Sequence, residues 1–329
     1  TPCGTLFPYT TLFRSTILRS KMPPAKIMIT DNVHGKAKQY LEEKGFTVSQ
    51  IKTPKASELI EKVKGYDAII LRSATKLRKD VLKQLQDLKV IGRAGAGLDN
   101  IDLSFAKEKN IPVYNSPFAH AVSVAEHAFS LLLAITKYIP MADKTMKEGK
   151  WLKKQYKNNE VRGKTLGIIG FGHIGEEIAK RALAFEMKIV VFDVVEQCID
   201  NAKKLGCNIA KGVDEMLPAV DYLTLHIPLN QHTRHMLHKE NMKLMKKNAI
   251  IINTSRGKVI NQDDLVEILQ SGSIKGAALD VFKDEPINEG DPILELENVV
   301  LTPHIASSTE ENQAVAALTV AEKIATFFD

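Results

Sequence analysis

The sequence predicts an α/β protein of two doubly wound parallel-sheet domains with a cleft between them. Three observations carry that expectation. Short apolar runs alternate with amphipathic stretches in two series along the 329 residues, the pattern of parallel sheets covered by helices on both faces. A long apolar helix separates the two series. The second series opens on TLGIIGFGHIGEEIAKRALAFEMKIVVFD (165–193), which contains a strand, a glycine-rich turn, a helix and a second strand in the order that binds a dinucleotide.

In the first series KIMIT (26–30), FTVSQI (46–51), AIILR (68–72), KVIGRA (89–94) and IPVYN (111–115) read as strands, with helices beginning near Gly35, Lys55, Arg78 and Leu103. Over 121–138, Val124, Ala125, Ala128, Leu131, Leu132 and Ile135 recur at helical spacing. That helix is expected to leave the first unit and enter the second. The second series continues with strands over 166–169, 188–192, 222–228, 248–255, 276–282 and 298–304, and with a helix over 263–272 stopped by Gly272. A last helix spans 309–328. Since the second sheet is complete by His304, this helix is expected to return to the first unit, and the two chain crossings would hinge the cleft. The expected domains are 26–119 plus 305–329, which binds substrate, and 120–304, a Rossmann unit for the dinucleotide.

Composition is that of an ordinary soluble protein, 44% hydrophobic and 26% charged. Of the formal charge of +6, three units (Arg14, Arg19, Lys21) lie in residues 1–21 with no acid, so the rest carries +3. That excess suits a small anionic substrate and is weak as a nucleic-acid signal. Cys3, Cys198 and Cys207 have neither metal-ligand nor disulfide spacing, which points to a reducing, cytoplasmic setting with no metal. No apolar run reaches the roughly 20 residues of a membrane span, so no membrane partner is expected. Residues 5–15, TLFPYTTLFRS, continue no period of the following chain, lack a signal-peptide core and read like a translated sequencing adapter. Residues 1–25 are therefore expected to be a non-native leader.

Each part of the glycine turn has a steric task. Gly170 makes the tight turn, Gly172 lets the backbone approach a pyrophosphate, and Gly175 lets helix and strand pack closely. The helix N-terminus offers N–H groups and a positive dipole end to the phosphates. Asp193 follows the second strand, 18 residues beyond Gly175. Its carboxylate can hold both ribose hydroxyls and would repel a 2′-phosphate, and Val194 and Val195 supply no cation for one, so NAD is expected over NADP.

Polar clusters end the later strands. Arg256, in NTSRG, can grip a carboxylate bidentately and reach the adjacent carbonyl oxygen. His304, in LTPH, has the pKa range of a proton donor for ketone reduction. Glu285 could hold its tautomer and favour its charged form. Asp280 could accept from a nicotinamide carboxamide.

NTSRGKVI, ALDVFKDEP and LTPHIASST, with GRAGAGLDNID (92–102), resemble the signatures of the D-isomer-specific 2-hydroxyacid dehydrogenase family from about Lys26 to the end of the chain. The resemblance implies two Rossmann/flavodoxin-like domains and a catalytic trio of Arg256, Glu285 and His304. It implies that His173, Ile174, Asp193, Ile227, Pro228, Thr254, Ser255, Arg256, Asp280, His304, Ile305, Ala306 and Ser307 surround NAD. Arg72, Ser73 and Asn115 match positions near the substrate carboxylate or phosphate. The activity implied is oxidation of D-3-phosphoglycerate to 3-phosphohydroxypyruvate, by a homodimer joined through the nucleotide domain and its 121–138 helix. Rival readings are a glyoxylate or hydroxypyruvate reductase and, in another class, an NAD-sensing corepressor. The chain departs from the family pattern at His120, where Asn is usual. Because it ends about 25 residues after His304, the regulatory domains of longer relatives are expected to be absent.

Overall fold

The computed structural model describes residues 24–117 and 119–329. The leader expected at 1–25 lies almost wholly outside them. The first sheet holds β1 (Lys26–Ile29), β2 (Thr47–Gln50), β3 (Ala68–Leu71), β4 (Val90–Arg93) and β5 (Val113–Asn115). All pairs are parallel, in the order β2-β1-β3-β4-β5. Every residue of β3 is buried, as a strand covered on both faces requires.

The second sheet holds β6 (Thr165–Ile169), β7 (Lys188–Phe192), β8 (Asn208–Ile209), β9 (Tyr222–Leu225), β10 (Ile250–Asn253), β11 (Gly276–Leu279) and β12 (Val299–Leu301). Its order is β12-β11-β10-β9-β6-β7-β8, again parallel throughout. The two orders are those of the flavodoxin-like and Rossmann doubly wound sheets, with strand order reversing beside β1 and beside β6.

The strands are shorter than the apolar segments that announce them. Of 222–228, 248–255 and 298–304 only 222–225, 250–253 and 299–301 form strand, and the polar tails leave the sheet at its carboxyl edge. β8, which follows the helix Glu196–Lys204, was not expected; an edge strand of two residues, Asn-Ile, has no alternation to detect. The helix expected over 121–138 also divides. It runs Ala121–Thr136, and a second helix, Ile139–Lys147, follows Tyr138, whose φ of 55° is left-handed and breaks the ladder.

The helix Ala121–Thr136 packs Ala125, Ala128 and Leu132 on Leu166, Ile168, Ile250 and Ile252 of the second sheet. The last helix, Glu310–Phe328, is capped by Thr309, which accepts from Asn312 N at 3.2 Å. It packs Ala317, Val320, Ala321 and Ile324 against Ile27, Ile29, Ile70 and Val90 of the first sheet. Gly92 permits this approach: a Cβ there would stand 2.5 Å from Val320 Cγ1. The chain thus passes from first sheet to second and back. Among the described residues no single helix is long and apolar enough to cross a membrane.

Candidate active site

β6 is followed by Gly170, where φ is +92° and a Cβ would meet His226 O, just past β9, at 2.5 Å. Only glycine satisfies both demands. Gly175 is buried in the first turn of the helix His173–Ala184, and a Cβ there would lie 2.2 Å from Gly170 O. A Cβ on Gly172 would meet nothing within 4 Å, so the loop is open on the side where a pyrophosphate would lie. His173 and Ile174 begin the helix, so the positive end of its dipole faces the glycine loop.

Asp193, just past β7, accepts from Phe171 N at 2.6 Å through Oδ2 and from Val195 N at 2.8 Å through Oδ1. The carboxylate is thereby fixed beside the glycine loop, and its remaining lone pairs can meet ribose hydroxyls. Ile227 and Pro228 leave β9 alongside Gly170, and Thr254 Oγ1 after β10 is buried without a partner. Glycine cradle, acidic strand end and unpaired hydroxyl fit a dinucleotide.

The expected chemical residues meet at the carboxyl ends of β10, β11 and β12. Buried Asn253 folds the first loop: its Oδ1 accepts from Ser255 N (3.0 Å) and Ser255 Oγ (2.8 Å), while its Nδ2 donates to Arg256 O (3.0 Å). That turn presents Thr254, Ser255 and Arg256. A Cβ on Gly257 would fall 1.9 Å from Phe282 O, so this loop and the one after β11 can touch only through glycine. In the latter, Glu285 Oε1 accepts from Phe282 N at 3.1 Å and Glu285 Oε2 lies 2.6 Å from His304 Nδ1.

This pair sets both pKa values. The Glu285 hydrogen bond raises that of His304 above the ordinary imidazole value; burial opposes it, the charges of Glu285 and Asp280 add to it, and Arg256 subtracts. Burial pulls Glu285 upward, but the hydrogen bond and charge of His304, the Phe282 N–H and Arg256 outweigh it and leave the carboxyl below its ordinary range. Both shifts favour the imidazolium–carboxylate form of the pair, and Nε2, on the far side of the ring from Glu285, is the nitrogen that can exchange a proton.

Asp280 is wholly buried, accepting from Thr302 Oγ1 (2.5 Å), Ile305 N (2.9 Å) and Ala306 N (2.9 Å), with His127 Nε2 3.4 Å away. Its carboxylate holds the loop of His304, Ile305, Ala306 and Ser307. Burial raises its pKa, but these donors, His127 first, hold it below the ordinary carboxylate range. His127, on the helix Ala121–Thr136, also bonds Thr302 Oγ1 at 3.1 Å; sequence reasoning missed it, though it stands on the buried-helix stretch VAEH.

On the opposite wall, Arg72 and exposed Ser73 leave β3 at the reversal of the first sheet. Arg72 Nη1 donates to Asn32 O and Gln313 Oε1, both at 3.2 Å. Asn115 Nδ2 donates to Ala96 O at 2.6 Å and so holds the loop after β4 in place. Arg93, the last of β4, was also overlooked. Burial, with the charges of Arg72 and Arg256, lowers its pKa to about 10, and Asp99 and Asp31 oppose the fall. It stays charged at neutral pH. A Cβ on Gly95 would overlap Arg93 Nη1 at 1.5 Å, and one on Gly97 would stand 2.5 Å from Arg256 Nη2. GRAGAG therefore makes room for two guanidiniums. Arg256 Nη2 also bridges Asp99 Oδ2 at 3.0 Å, linking the two walls.

The model of the D-isomer specific 2-hydroxyacid dehydrogenase family, NAD binding domain, matches residues 129–306. The chain is 45% identical, over 91% of its length and 56% of the relative, to D-3-phosphoglycerate dehydrogenase of Methanocaldococcus jannaschii. It is 42% identical, over 91% of its length and 97% of the relative, to hydroxypyruvate reductase of Thermotoga maritima. The crystal structure of D-lactate dehydrogenase from Aquifex aeolicus, complexed with NAD and lactic acid, superposes with a TM-score of 0.79 at 32% identity, covering 92% of this chain and 95% of that one. The chain spans about half the length of several curated relatives it matches. With this family match over the site just described, the chain belongs to the D-isomer specific 2-hydroxyacid dehydrogenases and carries their NAD-binding domain.

Proposed function

We propose that the chain oxidises D-3-phosphoglycerate to 3-phosphohydroxypyruvate with NAD, the first step of serine biosynthesis. The observation that carries this reading is the group of three guanidiniums, Arg72, Arg93 and Arg256, whose charges act on one another across the cleft. A substrate with both a carboxylate and a phosphate dianion relieves that repulsion; an unphosphorylated acid relieves less of it. Relatives named D-3-phosphoglycerate dehydrogenase at 36–45% identity support it.

Arg256 binds the carboxylate and points a donor at the C2 oxygen. His304 Nε2 takes the hydroxyl proton, and Glu285 stabilises the imidazolium that results. NAD, which the glycine loop and Asp193 would hold, would supply the hydride acceptor for C2. Arg72, Ser73 and Arg93 bind the distal anion. Asp193 selects NAD, and Asp280 with His127 positions the loop that carries His304. Val122, Ile139, Met146 and Phe185, all exposed around the helix Ala121–Thr136, support a homodimer through the NAD-binding domain, which light scattering would test.

The second reading, hydroxypyruvate reduction, draws on the Thermotoga maritima relative, whose length the chain covers almost fully. Steady-state turnover with NAD and 3-phosphoglycerate, against NADH with hydroxypyruvate or glyoxylate, discriminates. The proposal expects the phosphorylated pair to have the larger kcat/KM; a larger value for the unphosphorylated acids overturns it.

A further inference from the structure

His120 immediately precedes the helix Ala121–Thr136, and its backbone is fixed there. Its carbonyl oxygen accepts from Val124 N at 3.0 Å and from Ser123 Oγ at 3.1 Å. Its imidazole is not so engaged: Nδ1 is buried and has no hydrogen-bond partner among the described residues. The charged groups acting on the ring are Arg256, from the loop after β10, and Arg93, from the end of β4. Among the described residues no carboxylate opposes them at the ring; Asp99 is bound to Arg256 at 3.0 Å. Arg93 Nε is likewise buried without a partner.

An unpaired imidazole nitrogen and an unpaired nitrogen of the Arg93 guanidinium, with the Arg256 guanidinium beside them, form an arrangement that the described residues leave unsatisfied. A tetrahedral dianion supplies what is missing, since its several oxygens can accept from more than one side chain at once. Burial, then Arg256 and Arg93, push the His120 pKa below its ordinary value, so the ring is neutral at pH 7 in the absence of an anion. A dianion among these groups reverses the local field and favours a proton on the ring.

We propose that His120 contacts the phosphate of the substrate and takes up a proton as the dianion binds, so that phosphate recognition strengthens as pH falls. This rests on the reading of the substrate as a phosphorylated acid. The sign follows from linkage: a group that holds its proton more tightly in the complex contributes affinity below its pKa in the free protein. That contribution is lost as pH rises through its pKa in the complex.

Sulfate tests the proposal without turnover, because it remains a dianion and brings no titration of its own. The full chain is titrated calorimetrically with sulfate between about pH 6 and about pH 8, where histidine changes charge, in buffers of different ionisation enthalpy that count the protons. The wild type is expected to take up protons and to bind about tenfold more tightly at the lower pH. H120N and H120Q, checked for folding by thermal melting, should show less uptake and a flatter dependence; His304, also near Arg256, contributes equally to all three proteins. Equal uptake in wild type and both variants, or no sulfate binding by the wild type, overturns the proposal. Failure of the substrate reading is seen separately, as wild-type turnover that does not favour 3-phosphoglycerate over D-glycerate.

Discussion

His304 Nδ1 lies 2.6 Å from Glu285 Oε2, joining a residue just past β12 to one in the loop after β11. The pair raises the imidazole pKa and lowers the carboxyl pKa. By linkage its contribution to stability is full between the ordinary carboxylate and imidazole values, about 4.3 and about 6.5. It is lost as pH falls through the lowered Glu285 pKa or rises through the raised His304 pKa. As a base in oxidation, His304 must be neutral. The acid limb of kcat/KM for oxidation should therefore have its midpoint above about 6.5, and E285Q should move that midpoint to lower pH. A midpoint unmoved by E285Q would separate the limb from this pair.

Replacing the imidazole itself tests proton transfer. H304N should lower kcat by a factor on the order of 10² to 10⁴ while NAD binding, read by fluorescence titration, changes little. Near-full turnover would remove His304 from the chemistry.

Asp193 is anchored by Phe171 N and Val195 N, and exposed Val194 and Val195 follow it. D193S removes the charge that repels a 2′-phosphate. KM for NAD should rise about tenfold, and the NAD to NADP preference should fall by about that factor or more. An unchanged preference would place cofactor selection elsewhere.

Gly175 leaves no room for a side chain, since a Cβ would sit 2.2 Å from Gly170 O. G175A must push the helix His173–Ala184 away from β6. The expected cost is about 1–3 kcal/mol, seen as a lower Tm, and NAD binding should weaken with it. G172A, whose Cβ meets nothing within 4 Å, should keep the Tm and weaken NAD binding alone. Equal melting of both variants with the wild type would contradict this packing.

Much of this was legible in the sequence because parallel sheets buried on both faces write near-continuous apolar runs, as in AIIL and GAAL. Arg256, Glu285 and His304 were legible because each follows such a run. Arg93 was not. It looks like the polar end of a strand, and only the folded loop reveals that Gly95 leaves space for its guanidinium. The hold of Asp280 on Ile305 and Ala306 was not legible either, because the turn that folds them back onto it goes with a φ of 52° at His304, which local sequence does not announce. Tyr138 and β8 were missed for a related reason: a single left-handed residue and a two-residue edge strand leave no period.

The central claim is that the cleft is built for an acid carrying a second, dianionic group, with Arg93 as a buried part of its binding site. The most direct measurement is the ratio of kcat/KM for D-3-phosphoglycerate to that for D-glycerate, with NAD, in wild type and R93M. A charge-assisted contact of about 1.5–3 kcal/mol predicts a wild-type ratio well above one that falls by about 10- to 100-fold in R93M, mostly through KM for the phosphorylated acid. A wild-type ratio near one, or a ratio that R93M leaves unchanged, would contradict it.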